Sequence, residues 1–342
     1  MIDLRNILER LLCRQDLTEA EAGELLVALT DASVAPAMAG ALLAGLRAKG
    51  VTPAEVRGFA KAMRGLARRP NLPPGPPAID IVGTGGDASG SFNLSTGAAL
   101  LVAAMGVRVV KHGNRSVSSR SGSADMLECL GLRLPLDEQA AGACLAATGF
   151  TFLFAPHYHP AMKEVAPVRR ALGVRTVFNL LGPLTNPAEP PFGLIGAYST
   201  DAAKLMAEAF SGLPAQRVFV IHGDAGWDEP TPIGPFELYD VRPGRMERSV
   251  RDPRELGMQR CSPESLAGGD AAHNAACLRA VFEGRDRGPH RDAVVLNAAL
   301  ALELTGAVAS AAAGARAAAD ALDRGDGVRL LERLAAFGAA GR

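Results

Sequence analysis

The chain has 342 residues, of which 48% are hydrophobic and 21% are charged, so it can bury a sizeable core and is not of disordered composition. Lys and Arg number 36, as do Asp and Glu, and this balance argues against a protein that wraps nucleic acid. The length suits two domains better than one.

Cysteine usage and the N-terminal sequence bear on the compartment. The five cysteines are widely spaced and include no C-x-x-C pair, which is typical of reduced thiols in a cytoplasmic protein. Charged residues interrupt the apolar N-terminal stretch, so it does not have the pattern of a signal peptide. The sequence also has no apolar run of the roughly 20 residues that a membrane-spanning helix needs.

The first seventy residues predict helices alone, because their apolar residues recur at helical spacing. Capping-box patterns that begin at Thr18 and Thr52 mark two helix starts, and Gly50 is the predicted C-cap of the third helix. The predicted helices cover Leu4–Leu12, Ala20–Leu29, Ala37–Leu46 and Val56–Leu66.

After a proline-rich linker at residues 69–77, short strands alternate with helices. A strand over Ala78–Val82, a helix over Ser95–Met105 and a strand over Val107–Val110 form a β-α-β unit, which predicts a parallel sheet. Further strands are predicted at Phe150–Ala155, Phe192–Tyr198, Val218–His222 and Phe236–Val241. The chain from Asp270 onward predicts mostly helix.

These elements predict an α/β fold: a small all-helical N-terminal domain plus a large α/β domain with a mainly parallel central sheet. We place the small domain at residues 1–70, joined by helices from about 160–190, and the large domain at residues 71–342.

The first candidate site is the glycine loop, which we define as residues 83–87, Gly-Thr-Gly-Gly-Asp. Small residues between a strand and a helix let a phosphate approach backbone N–H groups. A plain strand-to-helix turn with Ser95 or Thr96 as the helix N-cap fits the same pattern. The loop lacks the Gly-Lys-Ser/Thr ending of a Walker A motif. A dinucleotide site would need an acid about 20 residues on, where Lys111 begins a basic segment, so an NAD site is disfavoured.

The second candidate is the serine loop, defined as residues 111–123, which carries three cations, one histidine and five serines. It follows the second strand of the same unit. The carboxyl ends of parallel strands share one edge of a sheet, and ligands favour that edge. A solvated loop is the alternative, but two such loops side by side favour a ligand with several anionic groups.

Three further features bear on chemistry. Asp228 and Glu229 follow a predicted strand, and adjacent acids in a loop are usually exposed charges, but beside a polyphosphate they become candidate Mg²⁺ ligands. Arg169 lies in a predicted helix, where it is either an ordinary solvated charge or, if it faces the ligand crevice, a guanidinium that can pair bidentately with a carboxylate. His157 and His159 lack a third metal ligand nearby, which favours a structural role.

Four segments together resemble the anthranilate phosphoribosyltransferase family, in order and in spacing. They are GTGGDASGSFNLST at 83–96, KHGNRSVSSRSGSAD at 111–125, HPAMKEVAPVRRALGVRTVFNLLGPLTNP at 159–187, and the pair at 228–229. The resemblance covers essentially the whole chain. It implies a nucleoside phosphorylase-like phosphoribosyltransferase fold, transfer of a phosphoribosyl group from phosphoribosyl pyrophosphate (PRPP) to the amine of anthranilate in tryptophan biosynthesis, and a homodimer formed through the small domain.

The resemblance also implies the residues of the site. PRPP would be held by Gly83, Gly86, Asp87, Ser91, Asn93, Ser95, Thr96, Lys111, Ser119 and Ser123. Magnesium, as two ions per subunit, would be held by Ser95, Asp228 and Glu229, and anthranilate by Gly83, Asn114 and Arg169. Lys111 and Arg169 would support the transition state, and no residue would act as general acid or base.

The sequence departs from the family pattern in three places, and two alternative functions remain open. Arg120 stands where Lys is usual, Trp227 and Pro230 flank the acidic pair, and residues 36–40 lack a Gln often found there. A pyrimidine-nucleoside phosphorylase would share the fold and catalyse phosphorolysis. A nucleic-acid-binding paralogue without activity is the other alternative, against which the zero net charge and the intact acidic pair both count.

Overall fold

The computed structural model describes residues 2–87, 89–115 and 120–340, so the predicted PRPP contact of Ser119 lies outside the described residues. Four helices come first, as predicted: α1 (Leu4–Leu12), α2 (Glu19–Leu29), α3 (Pro36–Lys49) and α4 (Pro53–Gly65). Both predicted capping boxes form, at Thr18 and Thr52, and Gly50 ends α3 with a φ of 87°.

The rest of the chain alternates strands and helices before ending in helices. In chain order the elements are β1 (Ile79–Gly83), α5 (Leu94–Ala104), β2 (Val109–Gly113), α6 (Ser123–Cys129), α7 (Glu138–Thr148), β3 (Phe150–Phe154), α8 (Ala155–Tyr158), α9 (Ala166–Leu172), α10 (Phe178–Leu181), β4 (Phe192–Gly196), α11 (Thr200–Phe210), β5 (Arg217–Gly223), β6 (Phe236–Arg242), β7 (Arg245–Arg251), α12 (Ala271–Phe282), α13 (Pro289–Thr305), α14 (Ala311–Asp323) and α15 (Asp326–Ala340).

The seven strands form one sheet in the order β3-β2-β1-β4-β5-β6-β7. The first five are parallel, and β6 and β7 join antiparallel, which confirms the mainly parallel sheet. The strand order reverses beside β1, whose neighbours are β2 and β4, and ligands bind at such switch points in open α/β sheets.

Two apolar cores cover the two faces of the sheet, as the alternation along β5 shows. Phe219 and Ile221 pack into a core with α5 and α13, whereas Val218 and Val220 pack into a second core with the four N-terminal helices and α11. The N-terminal helices therefore share their core with the segment around Val165–Leu184 and with one face of the sheet. The boundary between residues 70 and 71 stays a prediction.

Three local predictions were wrong. Strand β2 begins at Val109 and runs on through Lys111 to Gly113, because β3 pairs with it over that whole length. The N-cap of α5 is Asn93 instead of Ser95 or Thr96. Strand β7 was missed because its sequence, Arg245–Arg251, is almost entirely polar and exposed and carries no apolar alternation. Among the described helices, none is long and apolar enough to cross a membrane.

Candidate active site

The acidic pair lies at the carboxyl edge of the sheet and is not exposed as its loop position suggested. Asp228 is only 6% exposed, and Trp227 beside it is buried as well. The loop after β5 folds back tightly, with the Gly223 N–H donating to the Trp227 carbonyl at 2.8 Å. This fold-back buries the carboxylates against the ends of β1 and β4.

Two glycines make room for this approach. A Cβ on Gly83 would lie 2.3 Å from Asp228 Oδ2, and a Cβ on Gly196 would lie 1.5 Å from the Asp228 carbonyl oxygen. Both distances are far below any tolerated contact, so a side chain at either position would displace the acidic pair. Gly83 therefore has a steric role in the site, whatever ligand it contacts.

Hydrogen bonds join the acidic pair to the glycine loop and to the start of α5. Asp228 Oδ2 accepts from the Gly85 N–H at 2.6 Å, and the Asp228 N–H donates to Asp87 Oδ2 at 3.3 Å. Glu229 Oε1 accepts from the Ser95 N–H at 2.9 Å. The structure thus brings together residues that are about 140 positions apart in the sequence.

Lys111 lies beneath this cluster. It is fully buried, and its ammonium group donates to the Ile81 carbonyl and, at 3.3 Å, to Ser95 Oγ. Burial lowers the pKa of Lys111 to about 8, and burial also raises the pKa of the nearby Asp80 to about 6. Lys111 therefore contributes its positive charge to the site from within the protein and is not itself exposed to solvent.

The donor set fits a magnesium ion. Burial raises the pKa of both Asp228 and Glu229. Repulsion by Asp87 adds to the effect on Asp228, and repulsion by Asp228 and Asp87 adds to that on Glu229, so a bound cation would favour the carboxylate form of both acids. The N–H groups of Gly85 and Ser95 bond to Asp228 Oδ2 and Glu229 Oε1, so these two backbone contacts leave the other oxygen of each acid to a metal. Two carboxylates completed by water and ligand oxygens are what Mg²⁺ prefers.

The serine loop meets the start of α5 through Asn93, whose Nδ2 donates to the Ser121 carbonyl at 3.2 Å. Ser123 is the first residue of α6, and the exposed Asn114 accepts from the Ala124 N–H through its carbonyl at 3.3 Å. Arg115, one of the three cations in the loop, is neutralised by Asp125 and Glu128 at 2.7 and 2.6 Å.

Arg169 lies on α9, in the helical segment that packs with the N-terminal helices. Its guanidinium carbon stands 5.1 Å above the centre of the Phe178 ring. In the described parts of the chain, nothing forms a hydrogen bond or an ion pair with this guanidinium, and burial lowers the pKa of Arg169. A partly desolvated cation without a counter-ion is well suited to receive a carboxylate.

The remaining predicted residues are placed as follows. Gly86 has a φ of 70° and accepts from the Arg175 guanidinium through its carbonyl. Ser91 forms a β-bridge with Ala267. Thr96 is fully buried, and its hydroxyl has no hydrogen-bond partner among the residues described.

Sequence reasoning missed two residues of this neighbourhood. Arg175 spans from the segment after α9 to the glycine loop, and only its place inside the motif at 159–187 pointed to it. Asn274 on α12 donates to Asn93 at 2.8 Å, and no sequence signal connected it with the site. No cluster of three His, Cys, Asp or Glu that could hold a metal occurs in the described ranges. The structural role of His157 and His159 stays a prediction.

Two family models match the chain. The model for "Glycosyl transferase family, a/b domain" matches residues 75–328, and that for "Glycosyl transferase family, helical bundle domain" matches residues 5–67. Among curated relatives, the anthranilate phosphoribosyltransferase of Desulforudis audaxviator is 46% identical over 335 residues, which cover 98% of this chain and 96% of the relative. That of Methylobacterium nodulans is 48% identical over 320 residues, which cover 94% of each chain.

Solved structures of the same name are similar over nearly the whole length. The anthranilate phosphoribosyltransferase of Thermus thermophilus has a TM-score of 0.91 and 43% identity, and the match covers 97% of this chain and 99% of the other. The Saccharomyces cerevisiae protein in complex with PRPP and Mg has a TM-score of 0.90 and 26% identity, with 98% of each chain covered. A variant of that yeast protein was solved with 4-fluoroanthranilate, at a TM-score of 0.86, 25% identity and 98% coverage of each chain.

Proposed function

The chain belongs to the anthranilate phosphoribosyltransferase family, and on that premise we propose that it transfers the phosphoribosyl group of PRPP to the amine of anthranilate. The products are N-(5-phosphoribosyl)anthranilate and pyrophosphate, and the step belongs to tryptophan biosynthesis. The observation that carries the proposal is the buried acidic pair hydrogen-bonded to the glycine loop and to the start of α5. The phosphorylase and nucleic-acid alternatives are not favoured, since the relatives share one name over nearly full length.

PRPP would occupy the edge of the sheet between the two loops. Its phosphates would meet the backbone N–H groups of the glycine loop and the N-terminus of α5, together with the hydroxyl groups of the serine loop. The residues proposed to hold it are Gly83, Gly86, Asp87, Ser91, Asn93, Ser95, Thr96, Lys111, Ser119 and Ser123. Of the residues that the structure describes, Asp87 and Ser95 form hydrogen bonds with the acidic pair and Lys111 forms one with Ser95, which supports this assignment.

Magnesium would be held by Asp228, Glu229 and Ser95, and we propose two ions per subunit with PRPP bound. The ions would neutralise the pyrophosphate as it departs. The chain's own part is to keep two carboxylate oxygens free and to hold the acids rigidly through the Gly85 and Ser95 N–H groups. Lys111 would add positive charge from beneath Ser95.

Anthranilate would be oriented by its carboxylate. Arg169 would form two parallel hydrogen bonds with it, and Asn114 and Gly83 would complete the acceptor site. The amine of anthranilate is already nucleophilic, so the chain needs to place it against the ribose carbon and does not need a strong base. His112 and His159 are unsuited to that task, because burial lowers the pKa of each well below neutrality.

We also propose a cytoplasmic homodimer formed through the N-terminal helices. Leu12 on α1 and Val27 on α2 are 63% and 49% exposed, which leaves apolar surface on this part of the chain. The five cysteines are all free. Light scattering at micromolar concentration tests the assembly, and a monomer would contradict it.

The activity is tested by mixing the protein with PRPP, MgCl₂ and anthranilate and following the loss of anthranilate fluorescence. We expect the loss to require all three components and to stop when EDTA is added. Uracil and thymine serve as competing acceptors. If either is consumed while anthranilate is not, the proposed acceptor is wrong.

A further inference from the structure

Asn274, on α12, lies behind the start of α5 and is given no role by the function proposed above. Its side chain is 1% exposed. Its Oδ1 accepts from the Gly269 N–H at 2.7 Å, and its Nδ2 donates to Asn93 Oδ1 at 2.8 Å. Both ends of this amide therefore form hydrogen bonds, and one of these bonds is to Asn93, a residue of the proposed PRPP site.

The direction of these hydrogen bonds is fixed from both ends. A backbone N–H can only donate, so the amide oxygen of Asn274 must face Gly269 and its NH₂ must face Asn93. The oxygen of Asn93 then accepts from Asn274 and, at 3.3 Å, from the Ser121 hydroxyl, while its NH₂ points to the backbone of the serine loop. There it donates to the Ser121 carbonyl at 3.2 Å, which can only accept.

This relay connects α12 to two parts of the chain that meet the proposed ligand. Asn93 is the N-cap residue of α5 and lies two residues before Ser95. Ser121 lies two residues before α6, in the described part of the serine loop that leads into that helix. Because Asn274 is buried on a long helix, it gives the start of α5 and the serine loop one fixed reference point.

We propose that Asn274 is a positioning residue for PRPP: it sets the Asn93 amide so that its NH₂ faces the Ser121 carbonyl and its oxygen faces the donors of Asn274 and the Ser121 hydroxyl. This inference rests on the proposed function. Without Asn274, only the contacts with Ser121 hold the Asn93 amide, and a rotation by half a turn would present its oxygen to the Ser121 carbonyl, which repels it. The start of α5 and the serine loop would then lose their fixed relative position.

The test is Asn274→Asp, which keeps the size of the side chain and its acceptor toward Gly269 but replaces the donor toward Asn93 with a second oxygen. Loss of one buried hydrogen bond with an unpaired group left behind typically costs about 1–3 kcal/mol, so we expect PRPP to bind roughly 5- to 100-fold more weakly. Calorimetric titration of PRPP with Mg²⁺ measures this directly. The KM for anthranilate and the kcat at saturating PRPP should change less than about twofold, since Asn274 touches neither reacting group.

A double-mutant cycle separates positioning from a general structural effect. In an Asn93→Ala background, Asn274→Asp should add little further loss of PRPP affinity, because the two residues act through one path. Cys277→Ser, one turn further along the same helix, is the matched control and should leave PRPP affinity unchanged. Thermal unfolding of every variant checks the fold, and Asn274→Ser carries the same test if Asn274→Asp does not fold.

Two results would overturn the inference: unchanged PRPP affinity in Asn274→Asp, or losses that simply add in the double variant. Failure of the proposed function looks different, because the wild-type protein would then leave anthranilate unconsumed. The binding titration does not depend on turnover, so it reports on the relay in either case.

Discussion

The Arg175 guanidinium donates to the Gly86 carbonyl and so links the segment after α9 to the glycine loop. The same guanidinium lies 4.0 Å from the centre of the Tyr198 ring, and the Arg175 carbonyl accepts from Arg47 on α3. Arg175 thus holds a loop of the proposed PRPP site to the helical part of the chain.

We expect Arg175→Ala to raise the KM for PRPP by about threefold to tenfold, because a charge-assisted hydrogen bond and a cation–π contact at an exposed position are together worth roughly 1 kcal/mol. Arg175→Lys should recover less than half of the loss, since an ammonium group lacks the planar face that stacks on Tyr198. Steady-state kinetics with varied PRPP measure both. Tyr198→Phe keeps the ring and should behave as wild type, and a loss there would argue against stacking.

Replacement of the acidic pair by amides should lower activity without unfolding the chain. Asp228→Asn and Glu229→Gln keep the shape of each side chain but weaken its bond to a cation, so turnover at limiting Mg²⁺ should fall by about 10- to 100-fold. Activity measured across a Mg²⁺ titration checks this. Asp224→Asn, in the same loop but exposed, is the control. Full activity of both amide variants at limiting Mg²⁺ would refute the metal site.

Arg169 should matter for anthranilate alone. Loss of a charge-assisted pair with the substrate carboxylate costs about 1.5–3 kcal/mol, so Arg169→Ala should raise the KM for anthranilate by roughly 10- to 100-fold with little change for PRPP. Arg169→Lys should also be impaired, because lysine keeps the charge but lacks the planar guanidinium that forms two parallel hydrogen bonds with a carboxylate. The exposed neighbour Arg170→Ala is the control. Equal losses toward both substrates would count against this acceptor site.

The buried histidine pair should make the fold sensitive to acid. The ring centres of His112 and His159 are 5.1 Å apart. Burial lowers the pKa of His112 from 6.5 to about 3 and that of His159 from 6.5 to about 4. Unfolding lets both rings bind protons at their ordinary pKa. The stability due to the neutral rings is therefore complete above about pH 6.5 and is lost as the pH falls toward 4.

His159→Leu isolates this effect. Neither ring nitrogen of His159 forms a hydrogen bond within the described ranges, although the carbonyls of Met63 and Thr185 lie near, so an apolar residue of similar size should be tolerated. We expect the variant to retain the wild-type unfolding free energy at pH 7.5 and to lose less of it at pH 5, by on the order of 1–2 kcal/mol. Urea unfolding at both pH values measures this. The exposed His273→Leu should show the wild-type pH dependence.

The sequence predicted which loops meet at the edge of the sheet, but it did not predict that the acidic pair there is buried. Strands with apolar alternation, capping boxes and the order of the two loops are local patterns, and these were found within a few residues of their true bounds. The burial of Asp228 was not predictable locally, because it depends on the space left by Gly83 and Gly196, which are distant from it in sequence. Asn274 was missed for the same reason, since its partner Asn93, at the start of α5, is 181 positions away and is brought to it only by the fold.

Strand β7 closes one side of the sheet with a free edge, and its sequence decides what that edge can do. Arg245, Glu247, Arg248 and Arg251 place charge on both of its faces, and each is held by an ion pair with an acid or base of the same molecule. Another strand that docked here would have to strip water from these charges and break those pairs. The charged edge thus acts against sheet-to-sheet aggregation, so that an apolar substitution such as Arg248→Val should lower solubility before it lowers activity.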